Sequence, residues 1–346
     1  MPQPPAYPVS DHFNGAIFFN PPAMEAAHIP PVPIPVEAGP KGKPRKRGGL
    51  ISILRWRFRE DRQPWPVLPP DPAPAGDPHR LPPPGAVSVT FIGHSSFLIR
   101  LPNLTILTDP VFSDRCSPVS WAGPKRARPP GRAFRDLPKI DLLLLSHNHY
   151  DHMDFPSLRA IRRRDDPVVV TPLGNARHLA KVGLNRVTEL DWWGETRLAD
   201  GTSITVTPAR HFSARTLWDR GQSLWGGFML KTGRHQIFFA GDSGHGRHWA
   251  TIGQRLGSPD LALIPIGAYE PRQIMAAVHV NPAEAVAAHV AMGARQSIGM
   301  HFGTFKLTDE PIGAPPRDMA AARAAAGLAD DAFVTLGSGE TRLFSL

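Results

Sequence analysis

The chain has 346 residues, 41% of them hydrophobic and 20% charged, enough for one large domain or two ordinary ones. That balance argues against wholesale disorder and against a multi-spanning membrane protein. The formal charge of +9 is unevenly distributed, and Cys116, the sole cysteine, excludes an internal disulfide, a cysteine-based zinc finger or a redox pair, so any metal chemistry must use histidine and carboxylates.

In chain order, Met1 to Gly85 reads PQPPAYP, IPPVPIP, PPDPAPAGDP and LPPPG, too proline-rich for regular helix or central strand. We expect residues 1–85 to be an N-terminal extension, able to wrap around the core. Within it, Lys41 to Arg62 carries nine Lys/Arg against Glu60 and Asp61, interleaved with Leu50, Ile51, Ile53, Leu54, Trp56 and Phe58. Two readings stay open for this stretch: an interfacial patch, or a basic arm that is solvated or packed back on the domain. No apolar run approaches the ~20 residues needed to span a bilayer, and MPQPPAYPVS lacks the basic and apolar regions of a secretory signal. The expectation is a cytoplasmic protein with peripheral contact at the inner membrane face.

From Ala86 the texture changes to short β-rich runs separated by turn residues. Strands are predicted at Ser88 to Ile92, Ser96 to Arg100, Thr105 to Thr108, Asp141 to Ser146, Val168 to Thr171, Ser203 to Thr207, Gln236 to Ala240, Leu261 to Pro265 and Ser297 to Met300. The clearest helix opens at Asn281, with Pro282 at its first position and Glu284 three after the cap, and stops near Gly293. Asp154 with Pro156, and Asp318 with the alanine-rich run to Gly327, predict two more. Strands interspersed with helices indicate one layered α/β or α+β domain over residues 86–346.

The informative segment is IDLLLLSHNHYDHMD, a buried-strand pattern running into His147, His149, Asp151 and His152. On a chain leaving a strand, residues two apart can face one way while those after the turn face another, so one loop could serve two adjacent metals. Three imidazoles and a carboxylate so crowded would be costly to desolvate unless something coordinates them. Further donors follow other β-runs: His211 after ITVTPAR, Asp242 after QIFFAG and His301 after SIGM. Five imidazoles and two carboxylates suit a pair of Zn2+ ions, with manganese or iron as the outsiders. Two such metals could share a hydroxide nucleophile, with Asp242 as the natural bridging ligand, and no side-chain nucleophile would be required. No histidine is followed two residues later by lysine, so a His-nucleophile phosphodiesterase motif is absent.

HNHYDH followed by a distant His, Asp and His resembles the signature of the metallo-β-lactamase superfamily. That resemblance implies an αββα four-layer sandwich with the metals at one edge of two sheets. It also implies two sites: His147, His149 and His211, then Asp151, His152 and His301, with Asp242 shared. LTDPVFSDRCSP, GPKRARPP, ELDWW, TPARHFSARTLWD, LWGGF, FFAGDSG, IPIGAYEPR, HVNPAEAV and HFGTFKLTDEP look like the N-acylphosphatidylethanolamine phospholipase D branch. The implied reaction yields an N-acylethanolamine and phosphatidic acid, with Asp242, Asp151 and His279 as catalytic residues. His279 would contact the phosphate or protonate the leaving alkoxide.

His94 and Asp109, at early strand exits, are expected to orient ligands rather than coordinate. Trp193, Trp218 and Tyr269 fall in the family-like stretches and are candidate walls of a substrate pocket, with core packing as the alternative. Arg126, Arg128 and Arg132 could bind phosphate oxygens or form a solvated loop. Other open readings keep the metals but hydrolyse a soluble lactone, ester or cyclic phosphodiester. From a different class comes a nucleic-acid-binding protein using the basic arm, disfavoured because no extended basic stripe continues beyond it. Expected partners are a phospholipid or other phosphodiester and a membrane surface; a homodimer is compatible with the sequence.

Overall fold

The computed structural model describes residues 7–25, 64–70 and 74–346. The basic stretch from Lys41 to Arg62 lies outside them. Two seven-stranded sheets face each other. One contains β1 (Ala86–Gly93), β2 (Ser96–Leu101), β3 (Leu104–Thr108), β4 (Leu142–Leu144), β5 (Val168–Pro172) and β6 (Val187–Leu190), with β14 (Thr341–Ser345) closing its edge beside β1. The other runs from β7 (Glu195–Arg197) through β8 (Ser203–Thr207), β9 (Gly227–Thr232), β10 (His235–Phe239), β11 (Leu261–Pro265) and β12 (Gln296–Met300) to β13 (Phe333–Val334).

Alternation along the strands makes the layers. Phe97, Ile99, Ile106, Leu142, Leu144 and Val170 point into the core shared with the second sheet. Their neighbours Leu98, Leu107, Leu143, Leu145 and Val169 point the other way. There they meet Leu158 and Ile161 of α1 (Phe155–Arg164) and Leu179 of α2 (Ala176–Leu179). On the second sheet's outer side, α3 (His248–Leu256), α5 (Pro282–Met292) and α6 (Ala314–Ala325) add Trp249, Ile252, Val286, Met292 and Met319 to the main core. A short α4 (Arg272–Met275) precedes α5. This is an αββα sandwich: strands covered on both faces can read as the continuous apolar run seen before His147.

All nine expected strands form, with ends shifted by a residue or two; β4 stops at Leu144 because Ser146 N–H leaves the ladder to donate to Asp109 Oδ1 at 2.8 Å. Five strands went unpredicted. β6, β7, β13 and β14 are short and lie at or near sheet edges without clean alternation, and β9 opens on a glycine. α5 carries the full capping box, Asn281 accepting from Glu284 N and Glu284 from Asn281 N, and ends on left-handed Gly293 at φ 69°. Asp154 caps α1 by accepting from Ser157 N. The last helix starts four residues before the expected Asp318, at Ala314. Pro315 and Pro316 occupy its first turn, where a missing N–H costs nothing.

The described part of the leader packs on this body. Phe13, Phe18 and Met24 are buried in the main core, and the His12 ring stacks on Trp192 at 4.3 Å with Nε2 2.7 Å from Asp191 Oδ1.

Candidate metal centre

β1, β3, β4, β5 and β6 run in one direction within the first sheet, and β8 runs with β10 to β13 in the second. Their C-terminal ends deliver His94 after β1, Asp109 after β3, His147 to His152 after β4, His211 after β8, Asp242 after β10 and His301 after β12. Residues far apart in sequence therefore converge on one edge of the sandwich.

Two groups of donors form there. His149 Nδ1 lies 2.9 Å from His147 Nε2 and 3.1 Å from His211 Nε2. Asp151 Oδ2 lies 3.5 Å from both His152 Nε2 and His301 Nε2. Asp242 Oδ2 stands between them, 3.1 Å and 3.0 Å from His152 and His301 and 4.0 Å and 3.8 Å from His147 and His211. Bonds of about 2.0–2.2 Å to one tetrahedral cation place its donors roughly 3.3–3.6 Å apart. The observed spacings bracket that value.

Burial makes the same case. His152 Nε2, His301 Nε2 and Asp242 Oδ1 are buried without a hydrogen-bond partner, an expense that a bound cation removes. Burial, reinforced by neighbouring imidazoles, holds His149 near a pKa of about 3 and His147 well below the ordinary value. For His211, burial outweighs Asp242 and leaves a pKa of about 4. Burial alone would raise Asp151 and Asp242, but the adjacent histidines hold both carboxyls well below their usual range. The same carboxylates overcome burial to raise His152 well above its ordinary value and His301 to about 9. A metal would take the place of those protons.

The tautomers are set from behind. Asp109 Oδ2 lies 2.7 Å from His152 Nδ1 and accepts from the Ser146 hydroxyl at 2.5 Å, while Ser146 Oγ sits 2.9 Å from His147 Nδ1. The Val278 carbonyl takes His211 Nδ1 at 3.0 Å. Each contact leaves Nε2 facing the centre. His94 Nε2 meets Asp151 Oδ2 at 2.9 Å, and its ring centroid is 3.9 Å from that of His301, so it joins the second group as a further potential donor. His94, Asp109 and His301 have φ of 59°, 31° and 61°, left-handed backbone that non-glycine residues rarely adopt, and its concentration here marks a site held against local preference.

His279 is brought to the cluster, its ring 5.1 Å from His211 and 5.2 Å from His301, with Nδ1 buried and unpartnered. Trp193, Trp218 and Tyr269 are not packed on the ligand imidazoles. Trp193 carries the Arg255 guanidinium over its ring at 4.3 Å, Trp218 projects into solvent, and Tyr269 is buried with its hydroxyl on Asp318. Arg126 and Arg132 turn to backbone carbonyls, Arg126 to Val111 and Ser113 with its Nη1 buried and unpartnered, and Arg132 to Pro74, Gly76 and Gly339. The aromatic wall is instead Phe212, edge-on to His149 at 4.5 Å and 5.1 Å from His211, with Arg220 stacked on it at 3.9 Å. Its position next to His211 was the only signal. Asn20 of the leader donates to the His211 carbonyl at 2.8 Å, a contact that nothing in the sequence announced.

Away from the ligands, burial and nearby cations keep His178 and His248 neutral, each with a pKa of about 3. An unfolded histidine titrates near 6.5. Their contribution to stability is therefore whole above pH ~6.5 and is lost as pH falls towards 3. We expect the melting temperature of the metal-loaded protein to fall steadily from pH 6.5 to 4; a flat profile in a thermal-shift series would contradict these environments.

The β-lactamase superfamily domain matches residues 105–302. The chain is 39% identical over 264 residues to N-acyl-phosphatidylethanolamine-hydrolyzing phospholipase D 1 of Caenorhabditis elegans, covering 72% of this chain and 74% of that protein. It is 36% identical over 227 residues to the mitochondrial N-acyl-phosphatidylethanolamine-hydrolyzing phospholipase D of Saccharomyces cerevisiae, covering 64% of this chain but 48% of the yeast protein. Among solved structures, Igni18, a metallo hydrolase from the archaeon Ignicoccus hospitalis, aligns with a TM-score of 0.58 and 25% identity over 75% of this chain and 99% of that one. Matching fold, convergent donors and these relatives agree: the chain belongs to the metallo-β-lactamase superfamily, in the branch that resembles N-acylphosphatidylethanolamine-hydrolysing phospholipases D, and is a metal-dependent hydrolase.

Proposed function

We propose that the protein is a dinuclear zinc phosphodiesterase that converts N-acylphosphatidylethanolamine to an N-acylethanolamine and phosphatidic acid. The observation that carries the metal count is Asp242, whose Oδ2 stands within 4.0 Å of donors from both groups. Similarity to two proteins named for that reaction carries the substrate. Zinc is favoured by the nitrogen and oxygen donor set, ahead of manganese or iron.

His147, His149 and His211 would hold one cation and Asp151, His152 and His301 the other, with Asp242 shared. Bound there, the metals supply Lewis-acid charge for a phosphoryl oxygen and ready a water for attack near neutral pH. The chain's own residues set the rest. Asp109 and Ser146 keep the imidazoles turned inward, and Phe212 packs edge-on against His149. Burial first, with His211 and His301 adding to it, holds His279 well below its ordinary pKa, so it is neutral at working pH. A neutral imidazole with a free Nδ1 suits a hydrogen bond to a substrate phosphoryl oxygen. In the overall reaction water oxygen ends on phosphatidic acid, and the P–O bond on the ethanolamine side breaks with a proton passing to the departing alkoxide.

His279→Ala is expected to lower kcat by about 10²-fold, the low end for a positioned polar group, with metal content intact by elemental analysis. Unchanged turnover would remove His279 from the mechanism. The substrate is tested by mass spectrometry after incubating zinc-loaded protein with N-acylphosphatidylethanolamine in mixed micelles. N-acylethanolamine and phosphatidic acid from wild type, and none from Asp242→Asn, is the expected result. No product from protein holding two metals would discard the lipid assignment and turn attention to lactones, esters and cyclic phosphodiesters.

A further inference from the structure

Behind the metal loop, on the side of Tyr150, lies a cleft of about 710 Å³, lined by apolar surface and several charged side chains, that the mechanism does not use. One wall is the loop from Ser113 to Ser120 and the other is the turn around Thr216 and Asp219, with Tyr150 and His178 also lining it. Arg115, Arg159 and Lys181 contribute cations to it, while the Arg215 guanidinium is taken up by aromatic rings and backbone carbonyls. Of the three carboxylates present, Asp154 is committed to Ser113, Ser157 and its own helix cap, and Asp219 to the backbone N–H groups of Arg215 and Thr216, which leaves Asp114 as the counter-charge to Arg115, Arg159 and Lys181.

The two walls end in exposed apolar tips. Trp121, just past the first wall, is 80% exposed; Leu217 and Trp218, on the second, are 89% and 85% exposed, whereas Trp192, Trp225 and Trp249 are buried. These tips are built rather than slack. Asp219 and Thr216 hydrogen-bond the turn beneath Leu217 and Trp218, Gln222 donates to the Trp218 carbonyl, and Cys116 N–H pairs with the Pro124 carbonyl under Trp121. Holding two tryptophans in water on ordered loops, either side of a cationic cleft, is the arrangement of a surface that meets amphipathic material.

We propose that this cleft and its two tips form the face that docks on an anionic phospholipid bilayer, the tips entering the interfacial region and the cleft cations meeting headgroup phosphates. The inference rests on the reading of the substrate as a membrane lipid, and charge complementarity selects the bilayer. Arg215 ties docking to the metal centre. Its guanidinium lies between the rings of Tyr150 and Phe155 at 4.0 Å and 4.2 Å and donates to the carbonyls of Asn148 and Met153, each at 2.8 Å. Those two carbonyls bracket His149, Asp151 and His152, so a tip seated in lipid holds the ligand loop in a fixed orientation to the membrane.

The test uses the full-length, zinc-loaded protein and vesicles of phosphatidylcholine and phosphatidylglycerol in equal parts, free of N-acylated lipid, so binding is read whether or not the substrate assignment holds. Wild type should co-sediment, its tryptophan emission should be quenched by bromine-labelled acyl chains, and affinity should fall several-fold in phosphatidylcholine alone. Trp121→Ser combined with Leu217→Ser and Trp218→Ser should weaken binding at least about tenfold, with zinc content and melting temperature unchanged. Wild-type retention by the triple variant, including the case in which removing residues 41–62 abolishes binding, would overturn the proposal. So would absence of quenching in the wild type, a measurement that stands even if the variant fails to fold. Vesicle binding without product in the micelle assay would sink the substrate reading and leave this face in place.

Discussion

Asp242→Asn is expected to lower kcat/KM by about 10³-fold or more and to reduce bound metal below two equivalents. The substitution preserves shape but removes the one carboxylate whose Oδ2 approaches donors of both groups, at 3.0 Å to 4.0 Å. Charge stabilisation by a catalytic metal amounts to several kcal/mol, and each 1.36 kcal/mol is a decade in rate. Protein titrated with zinc and counted by elemental analysis gives the stoichiometry, and steady-state kinetics gives the rate. Near-normal turnover with two metals bound would show that the carboxylate between the groups is dispensable. The substitution also removes a charge that draws protons onto His152 and His301, so the metal-free variant should hold those protons less tightly.

Asp109→Ala is expected to damage folding and metal affinity together, although Asp109 touches no cation in the proposed arrangement. Its carboxylate is wholly buried and accepts from Ser146 N–H, the Ser146 hydroxyl and His152 Nδ1. Removing it strands those donors at a cost of about 1–3 kcal/mol for each group left unmet. It also frees His152 to rotate, and loss of such an outer partner typically costs 10–100-fold in metal affinity. Denaturant unfolding with and without zinc, alongside competition with a chelator, separates the two effects. Asp109→Asn should do less harm to packing yet still lose affinity, because an amide can satisfy Ser146 but cannot hold the charge beside His152. Wild-type affinity in both variants would place the control of His152 elsewhere.

Much of the centre could be read from residue order, because donors close in sequence and donors directly after strands are set by local rules. HNHYDH packs four donors into one strand exit, and the β-runs before His211, Asp242 and His301 could be recognised by their apolar pattern. The capping box at Asn281 and the proline in the first turn of α1 are equally local. The edge strands β6, β7, β13 and β14 escaped because pairing to a neighbour, not periodicity, makes them strands. Residue type within family-like stretches points to Trp193, Trp218 and Tyr269 as pocket walls, but ring chemistry does not say which way a loop turns. Phe212 took the wall position because it follows His211 directly.

By itself the sequence determined the chemistry on offer: histidine and carboxylate ligands without cysteine, a layered domain from Ala86, and a donor set suited to paired cations. Tertiary structure alone decided that the strands carrying those donors run in register to one edge, that Asp242 falls between two groups, and that Asp109 and Ser146 set the imidazole tautomers. It also decided that Asn20 reaches the His211 carbonyl and that Arg215 braces the ligand loop. The physical reason is separation along the chain: contacts such as His152 with Asp109, or Asn20 with His211, join residues that no local pattern relates. They exist only once burial of the two sheets against each other has offset the entropy of bringing those segments together.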